Sequence, residues 1–385
     1  MLFCTPKLGE AEVEVVGRIE GLRKRLGHQI GTSPRRWKGM LRRNALARAI
    51  QGSNSIEGYN VSVDDAMAAV DGEAPLDADA ATWAEIIGYR NAMTYVLQLA
   101  DDPHFSFTSG VLRSFHFMML QHDLTKNPGR WRPGAIFVRN DERGEVVYEG
   151  PDVDRVPLLM KELAIWLRKG DLKAPAIVRA AMAHLNLVMV HPYSDGNGRM
   201  ARCLQTLVLA REGILAPQFC SIEEYLGRNT QAYYDVLGAV GSGSWHPERD
   251  ARPWLRFVLT AHYRQAQTFL RRVRETERVW ETLEKTISDC GLPERMICAL
   301  YDAAFGFRVR NATYRPAAEV SENLASRDLT RLVELKLLIP KGEKRGRYYV
   351  ASPAVHAIRT QASEPKRPIG DPFDPASDAT STAQQ

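Results

Sequence analysis

The chain has few cysteines, no long apolar run and no strong excess of charge of one sign. Its 385 residues include five scattered cysteines without a C-x-x-C pair, which argues against a disulfide scaffold or zinc finger and fits reduced thiols in a cytoplasm. No apolar run approaches the roughly 18 residues of a transmembrane helix, and no export signal opens the chain. A formal net charge of +5 does not by itself imply a nucleic-acid partner.

The most informative segment is residues 191–202, which joins two predicted helices. Apolar residues at helical spacing predict one helix over 175–190 and another over 197–211. The pair His191-Pro192 ends the first helix, because the residue before a proline is pushed out of the helical region. The sequence therefore predicts a helix, a tight glycine turn and a second helix.

The side chains of this turn suit an enzyme that handles a nucleoside triphosphate. Gly196 and Gly198 permit left-handed backbone angles, and the unpaired N–H groups at a helix start favour phosphate. Arg199 offers a forked contact to phosphate oxygens, and Asp195 offers a hard ligand for magnesium. His191 titrates near neutral pH and suits a general base. Each feature alone is usually structural, but their combination predicts a catalytic site.

The turn resembles the signature of the Fic family, His-Pro-Phe-x-Asp/Glu-Gly-Asn-Gly-Arg-x-x-Arg, with Tyr193 in place of phenylalanine. The resemblance implies a helical core and the transfer of AMP from ATP to a protein hydroxyl. It implies that His191 is the general base and that Asp195 binds Mg²⁺. The residues implied to bind the phosphates are Gly196, Asn197 and Gly198 as an anion hole, Arg199, and Arg202 at the γ-phosphate.

A second motif, residues 53–58, resembles the inhibitory motif of the same family, Ser/Thr-x-x-x-Glu-Gly/Asn. Helices predicted over 10–29 and 36–51 lead into it. Ser53 and Glu57 are four residues apart and share one face if helical. The spacing alone is common. Beside the signature, the resemblance implies that Glu57 pairs with the last signature arginine, occupies the γ-phosphate position and disfavours productive ATP binding.

Two further regions resemble parts of the family's active site. Apolar residues at 135–138 and 146–148 flank a turn at 141–144, a pattern that predicts a β-hairpin. It resembles the Fic flap, which aligns the target by strand addition; the alternative is a purely structural hairpin. Three residues would dock the target: Ile136, Phe137 and Val138. Tyr233 and Tyr234 resemble paired tyrosines near the adenine, with ordinary core positions as the alternative.

The C-terminal third predicts a small winged helix-turn-helix domain. A helix over 292–305, a short helix beginning at Ala317 and a helix capped by Ser326 precede a basic hairpin over 337–350. Such modules often bind DNA through the second helix and basic residues. Residues 318–350 contain only seven basic and five acidic residues, so a protein-contact or dimerisation module is an equal alternative.

The predicted fold is therefore mainly α, a Fic-type helical core with a β-hairpin flap and a C-terminal winged helix. Its expected divisions are an N-terminal helical region over 1–100, a catalytic core over 101–280, the winged helix over 285–355 and a disordered tail over 361–385. The leading hypothesis is an autoinhibited AMP transferase using ATP and Mg²⁺. Its candidate partners are a target protein with a hydroxyl side chain, the chain itself, DNA and a second copy, with no membrane.

Three alternatives stay open for the function. A relative of this kind also removes AMP, with the inhibitory glutamate activating water. The transferred group is a uridylyl or phosphocholine moiety if the base and head-group pocket differ. A DNA-binding regulator with a nucleotide-sensing Fic core is the alternative from another class.

Overall fold

The computed structural model is mainly helical, with two small sheets. It describes residues 1–32, 37–140, 145–343, 346–366 and 369–374. The helices are α1 (Glu10–Thr32), α2 (Trp37–Ile56), α3 (Val63–Asp71), α4 (Ala80–Leu99), α5 (Ser109–Leu120), α6 (Val156–Lys169), α7 (Ala176–Val190), α8 (Asn197–Ala210), α9 (Glu223–Arg228), α10 (Thr230–Gly241), α11 (Arg252–Asp289), α12 (Ile297–Ala304), α13 (Asn311–Ala318), α14 (Glu322–Glu334) and α15 (Pro353–Ala362). The strands are β1 (Phe137–Asn140), β2 (Glu145–Glu149), β3 (Gly243–Ser244), β4 (Leu338–Lys341) and β5 (Tyr348–Ala351).

Two adjacent helices, α7 and α8, form the centre of the molecule. Every residue of α8 except Gly198 is buried, and α7 is apolar over most of its circumference. A helix that is apolar on all sides belongs in a core, because no face of it is suited to water. The 38-residue α11 packs against α7 and continues to α12 and α15, so one amphipathic helix joins the core to the C-terminal region. None of the described helices combines the length and apolarity needed to cross a bilayer.

The end of α2 is held against the core by a close approach of two backbones. A β-carbon at Gly52 would collide with the carbonyl oxygen of Glu223 in α9. A β-carbon at Gly227 would lie 2.8 Å from the Gly52 carbonyl oxygen. Glycine at both positions therefore lets α2 and α9 approach. The predicted helix over 36–51 extends through Ile56, so the segment that carries Ser53 is helical and faces α8.

The flap hairpin is present and belongs to a three-stranded sheet. β1 and β2 are antiparallel, with Phe137 opposite Glu149, and β2 pairs in parallel with β3. The strand order β1-β2-β3 makes β1 an edge strand. The Tyr148 hydroxyl donates to the carbonyl of Met189 at 2.7 Å and fixes the hairpin to α7. The predicted turn at 141–144 lies outside the described residues.

The C-terminal elements occur in the predicted order, but two predicted helix starts are wrong. Ala317 lies in the last turn of α13 instead of beginning a helix, and Glu319 ends α13 with left-handed angles, φ 58°. Ser321, not Ser326, caps α14, and Ser326 lies inside that helix. Pro316, a residue type that disfavours a helix interior, lies within α13. The hairpin β4/β5 follows.

Residues 361–366 and 369–374 of the segment predicted to be disordered belong to the part of the chain that the structure describes. The carboxylate of Glu364 lies 2.8 Å from both Arg274 and Arg278 of α11. The ring of Phe373 lies under the guanidinium of Arg256. These charged and aromatic contacts hold the described part of the tail on α11, which composition alone does not reveal.

Candidate active site

The turn between α7 and α8 is fixed by its own backbone and by one amide side chain. His191 ends α7 in left-handed angles with φ 48°, which costs a non-glycine residue about 1 kcal/mol. Gly196 is also left-handed, with φ 76°. The side chain of Asn197 accepts from the N–H of Tyr193 at 3.0 Å and donates to its carbonyl at 2.9 Å. Asn197 therefore shapes the turn with its side chain, and only its backbone can contribute to an anion hole.

His116 supports this turn from α5, and sequence reasoning missed it. Its ring stacks on Tyr193 with centroids 3.7 Å apart. Its Nδ1 accepts from the N–H of Gly129 at 2.8 Å, so Nε2 carries the proton and donates to the carbonyl of Asp195 at 2.9 Å. Burial lowers the pKa of His116 to about 4, which keeps the ring neutral. No local pattern in the sequence marks this residue.

His191 is oriented as a neutral base. Its Nδ1 lies 3.1 Å from the carbonyl of Val188 and must donate, because a carbonyl oxygen only accepts. This leaves the lone pair on Nε2 available. Burial lowers the pKa of His191, so the neutral form predominates at pH 7. Arg132 donates from Nε to the His191 carbonyl at 3.0 Å and connects the base of the flap to the end of α7.

A network of charges surrounds Asp195 and Arg199. The carboxylate of Asp195 lies 2.8 Å from Nζ of Lys126, which also lies 2.7 Å from Glu85. The fully buried guanidinium of Arg199 forms an ion pair with the other oxygen of Glu85. Sequence reasoning missed Lys126 and Glu85, since neither stands in a motif. They hold two predicted site residues in place and complete the charge balance of the turn.

Glu85 is the acceptor of this network, and its loss has a predictable effect. Burial alone would raise its pKa, but Arg199 and Lys126 outweigh burial and hold the pKa of Glu85 at about 2. Replacing Glu85 with glutamine leaves the buried Arg199 without its carboxylate. We expect Glu85→Gln to lower the free energy of unfolding by about 3 kcal/mol at pH 7, measured by urea unfolding. The exposed Glu14 gives a matched control, Glu14→Gln, with a change below about 0.5 kcal/mol. Equal losses in the two variants would contradict this assignment.

The donor set of the turn fits a magnesium ion that is held jointly with phosphate. Among the described residues, no group of three His, Cys, Asp or Glu side chains is placed to hold a metal. Asp195 contributes one hard carboxylate, and its side chain is 36% exposed. Magnesium usually binds through one or two carboxylates plus substrate phosphates. The residues present fit that mode of binding.

Glu57 and Arg202 meet at the start of α8. Oε1 of Glu57 lies 2.7 Å from Nη2 of Arg202, whose side chain is 1% exposed. Ser53 accepts from the same guanidinium at 2.8 Å through its hydroxyl and at 3.0 Å through its carbonyl. A β-carbon at Gly198 would collide with Oε1 of Glu57. The Glu57 carboxylate therefore contacts both Gly198 and Arg202, two of the residues implied to bind phosphate.

A buried carboxyl group, Glu223, lies behind this ion pair. It accepts from the Tyr89 hydroxyl at 2.7 Å, and burial raises its pKa to about 7 against an ordinary 4.5. The folded protein therefore holds a proton that the unfolded chain loses between these two values. The stability that Glu223 contributes is present below about pH 4.5 and is lost as pH rises through 7.

A glutamine at position 223 removes this titration. We expect wild-type stability to fall by on the order of 2 kcal/mol between pH 4.5 and pH 8 relative to Glu223→Gln. The measurement is urea unfolding at closely spaced pH values. The control Glu14→Gln keeps the wild-type slope. A Glu223→Gln variant with the wild-type slope would show that this carboxyl group is already ionised at low pH.

The structure separates the paired tyrosines. Tyr233 is buried, and its hydroxyl donates to Nε2 of His184 at 3.0 Å, while Nδ1 of that histidine donates to Gln205 at 2.8 Å. Tyr234 is 46% exposed, and its hydroxyl donates to the carbonyl of Ile56 at 3.0 Å. Tyr233 thus occupies a core position. Tyr234 contacts the end of α2 immediately before Glu57.

The residues expected to dock a target lie on or beside the edge strand. Ile136 precedes β1, Phe137 opens it and is 47% exposed, and Val138 packs partly on the core. Arg132 donates to the carbonyl of Gly134 at 2.6 Å and so ties this edge to His191. The structure therefore places an exposed strand edge close to the base.

The comparisons with known proteins agree with this geometry. Residues 106–209 match the Fic/DOC family. The chain is 26% identical over 276 residues to the protein adenylyltransferase Fic of Nematostella vectensis, covering 69% of this chain and 58% of that protein. It is 30% identical over 177 residues to the protein adenylyltransferase fic-1 of Caenorhabditis elegans, covering 45% of this chain and 31% of that protein. The chain thus spans less than two thirds of these animal relatives.

Two solved structures share the fold. A Fic family protein from Desulfovibrio desulfuricans superimposes with a TM-score of 0.58 at 22% identity, over 91% of this chain and 98% of that one. Fic-1 of Caenorhabditis elegans superimposes with a TM-score of 0.51 at 22% identity, over 67% of this chain and 72% of that one. The mainly helical, Fic-type fold predicted from the sequence is confirmed.

Proposed function

We propose that this chain, which carries a Fic/DOC domain over residues 106–209, transfers AMP from ATP to a hydroxyl side chain of a target protein. The observation that carries the proposal is the position of the Glu57 carboxylate, an anion seated against Gly198 and Arg202 at the start of α8. Helix starts favour anions, because their N–H groups lack partners and the helix dipole is positive there. The curated relatives are named protein adenylyltransferases, which supports the same reaction.

In the proposed reaction, the acceptor hydroxyl attacks the α-phosphorus of ATP. Nε2 of His191 takes the hydroxyl proton as the new phosphorus–oxygen bond forms. The bond between the α-phosphorus and its bridging oxygen breaks, and pyrophosphate leaves with the electron pair. The Val188 carbonyl fixes the tautomer, so the lone pair of His191 is directed to one ring nitrogen before substrate binds.

The phosphates would bind at the start of α8. The backbone from Gly196 to Gly198 provides the anion hole, and Arg202 contacts the γ-phosphate once Glu57 has left. Arg199 adds its charge while it remains paired with Glu85. Asp195 and the phosphates would hold Mg²⁺, which when bound neutralises phosphate charge. Lys126 then retains Glu85 as its second carboxylate partner.

We further propose that the pair of Glu57 and Arg202 inhibits the transfer. The carboxylate and a γ-phosphate compete for one buried guanidinium, so both cannot occupy it together. Ser53 holds the guanidinium in the position that Glu57 needs. The target segment would pair with the free edge of β1, a mode that reads backbone and tolerates many sequences.

The identity of the transferred group is tested by intact-mass spectrometry. The Glu57→Gly chain is incubated with Mg²⁺ and, in parallel, with ATP, UTP or CDP-choline. We expect the added mass of one AMP with ATP and no adduct with the others. A uridylyl or phosphocholine adduct would replace the proposed substrate. If an AMP-modified protein loses its AMP when mixed with the wild-type chain but not with Glu57→Gly, the activity of this chain would be the removal of AMP instead.

A second candidate function concerns the C-terminal region over 285–355. Three helices followed by a hairpin have the order of a winged helix, and α14 exposes Arg327 and Arg331. We propose duplex DNA as its alternative partner, tested by an electrophoretic shift at low salt. Loss of the shift on replacing both arginines with glutamine would support it, and no shift by wild type would remove it. Lys344 and Arg345, also expected at this surface, lie outside the described residues.

A further inference from the structure

A cavity of about 50 Å³ lies between α2, α11, α12 and α15, remote in sequence from the glycine turn. Its lining includes three arginines, Arg48, Arg272 and Arg359. A buried water needs roughly 10–15 Å³ of such space, so this cavity holds about four waters or one small ion. A tetrahedral oxyanion with five heavy atoms is of this size.

The arginines around the cavity outnumber the carboxylates beside them. Both oxygens of Glu224 accept from Arg272 at 2.6 Å, and one also accepts from Arg228 at 2.6 Å. Arg48 lies 3.8 Å from the same carboxylate, which is beyond hydrogen-bond distance. Arg359 has its own partner, Glu275, at 2.9 Å. Four arginines therefore share two carboxylates.

Arg48 is the cation with the least compensation. Its Nε donates to the Asn44 side chain at 3.1 Å, a neutral partner. Burial and the repulsion of Arg272 lower the pKa of Arg48 to about 10 and outweigh the attraction of Glu224, a carboxylate that Arg48 shares with Arg272 and Arg228. Thr276 and Tyr301 also line the cavity, and their hydroxyl groups hydrogen-bond to each other at 3.3 Å. The rest of the lining is Asn44 and the apolar residues Leu41, Ala45, Phe269 and Phe305.

We propose that this cavity is a binding site for a phosphate-sized oxyanion, held by Arg48, Arg272 and Arg359. Charge-assisted hydrogen bonds from guanidinium groups are the strong ones for phosphate. The volume of about 50 Å³ admits a single phosphate group, and the ligand proposed is a free oxyanion. The site stands independently of the proposed AMP transfer. Because Arg48 lies on α2, a bound anion contacts the helix that carries Ser53.

Calorimetric titration of the full chain with inorganic phosphate tests the proposal, with chloride at matched ionic strength as reference. We expect Arg48→Gln to weaken phosphate binding by about tenfold or more. Arg228→Gln is the matched control, because Arg228 contacts the same Glu224 but is 61% exposed and does not line the cavity. It should bind within about twofold of wild type. Equal binding by wild type and Arg48→Gln, or no binding by wild type, would overturn the site.

A second measurement covers the case in which Arg48→Gln fails to fold by circular dichroism. Arg359→Gln then takes its place in the titration, with the same expected loss. Crystals soaked in selenate should show an anomalous peak between Arg48, Arg272 and Arg359. A peak at the glycine turn, with none in the cavity, would assign the phosphate binding to the active site and overturn the proposal.

Discussion

Replacing Glu57 with glycine raises the initial rate of AMP transfer by roughly 5- to 150-fold, the range of a coupling energy of about 1–3 kcal/mol. The reason is that, in the proposed mechanism, the γ-phosphate would need the buried guanidinium of Arg202, which Glu57 occupies. Ser53 still accepts from Arg202 in the variant, so the arginine stays in position. The measurement is incorporation of label from ATP carrying a radioactive α-phosphate, into the chain itself and into added candidate targets.

The isosteric variant Glu57→Gln distinguishes the effect of the negative charge of Glu57 from the effect of its side-chain volume. A glutamine keeps the volume of the side chain and one hydrogen bond but loses the negative charge. We expect its rate to lie between those of wild type and Glu57→Gly. A glycine variant with the wild-type rate at subsaturating Mg²⁺·ATP, where the carboxylate and the γ-phosphate compete for Arg202, would show that Glu57 does not restrain the reaction.

Removing the imidazole of His191 in the Glu57→Gly background lowers the transfer rate by about 10²- to 10⁴-fold, the usual contribution of a general base. The base is already positioned, because Nδ1 donates to Val188 and burial keeps the ring neutral. Asparagine is the preferred replacement, since it tolerates the left-handed backbone at this position, where φ is 48°. The rate is measured with α-labelled ATP, and ATP affinity by calorimetry.

The affinity for ATP distinguishes a base from a phosphate ligand. We expect His191→Asn to leave the dissociation constant of Mg²⁺·ATP within about twofold, because Nε2 is assigned to the acceptor hydroxyl. Circular dichroism confirms that the variant is folded. A large loss of ATP affinity with an unchanged rate at saturation would contradict the assigned role.

Local signals in the sequence account for the predicted turn between α7 and α8. The pair His191-Pro192 ends α7, and Gly196 allows the turn with its left-handed φ of 76°, so the bounds of both helices follow from neighbouring residues. Gly198, also expected to adopt left-handed angles, lies in the first turn of α8 without a positive φ. The meeting of Glu57 with Arg202 is a different case. Nothing local predicts it, and the expectation came from resemblance to a family.

Residues whose role depends on tertiary contacts were not predicted from the sequence. His116, Glu85 and Lys126 come from separate elements and meet only in the folded chain. The starts of α13 and α14 were also misplaced, and Pro316 lies inside α13 although a proline is disfavoured within a helix. Burial and pairing, which decide these cases, depend on the neighbours that folding supplies.

The central chemical claim is that the bond between the α-phosphorus of ATP and its bridging oxygen breaks while a new bond forms from the α-phosphorus to a protein hydroxyl oxygen. Parallel reactions of Glu57→Gly with ATP labelled at the α- or the γ-phosphate test it most directly. Label from the α-phosphate should become covalently attached to protein, and label from the γ-phosphate should leave as pyrophosphate. Attachment of the γ-label, or of neither label, would contradict the account.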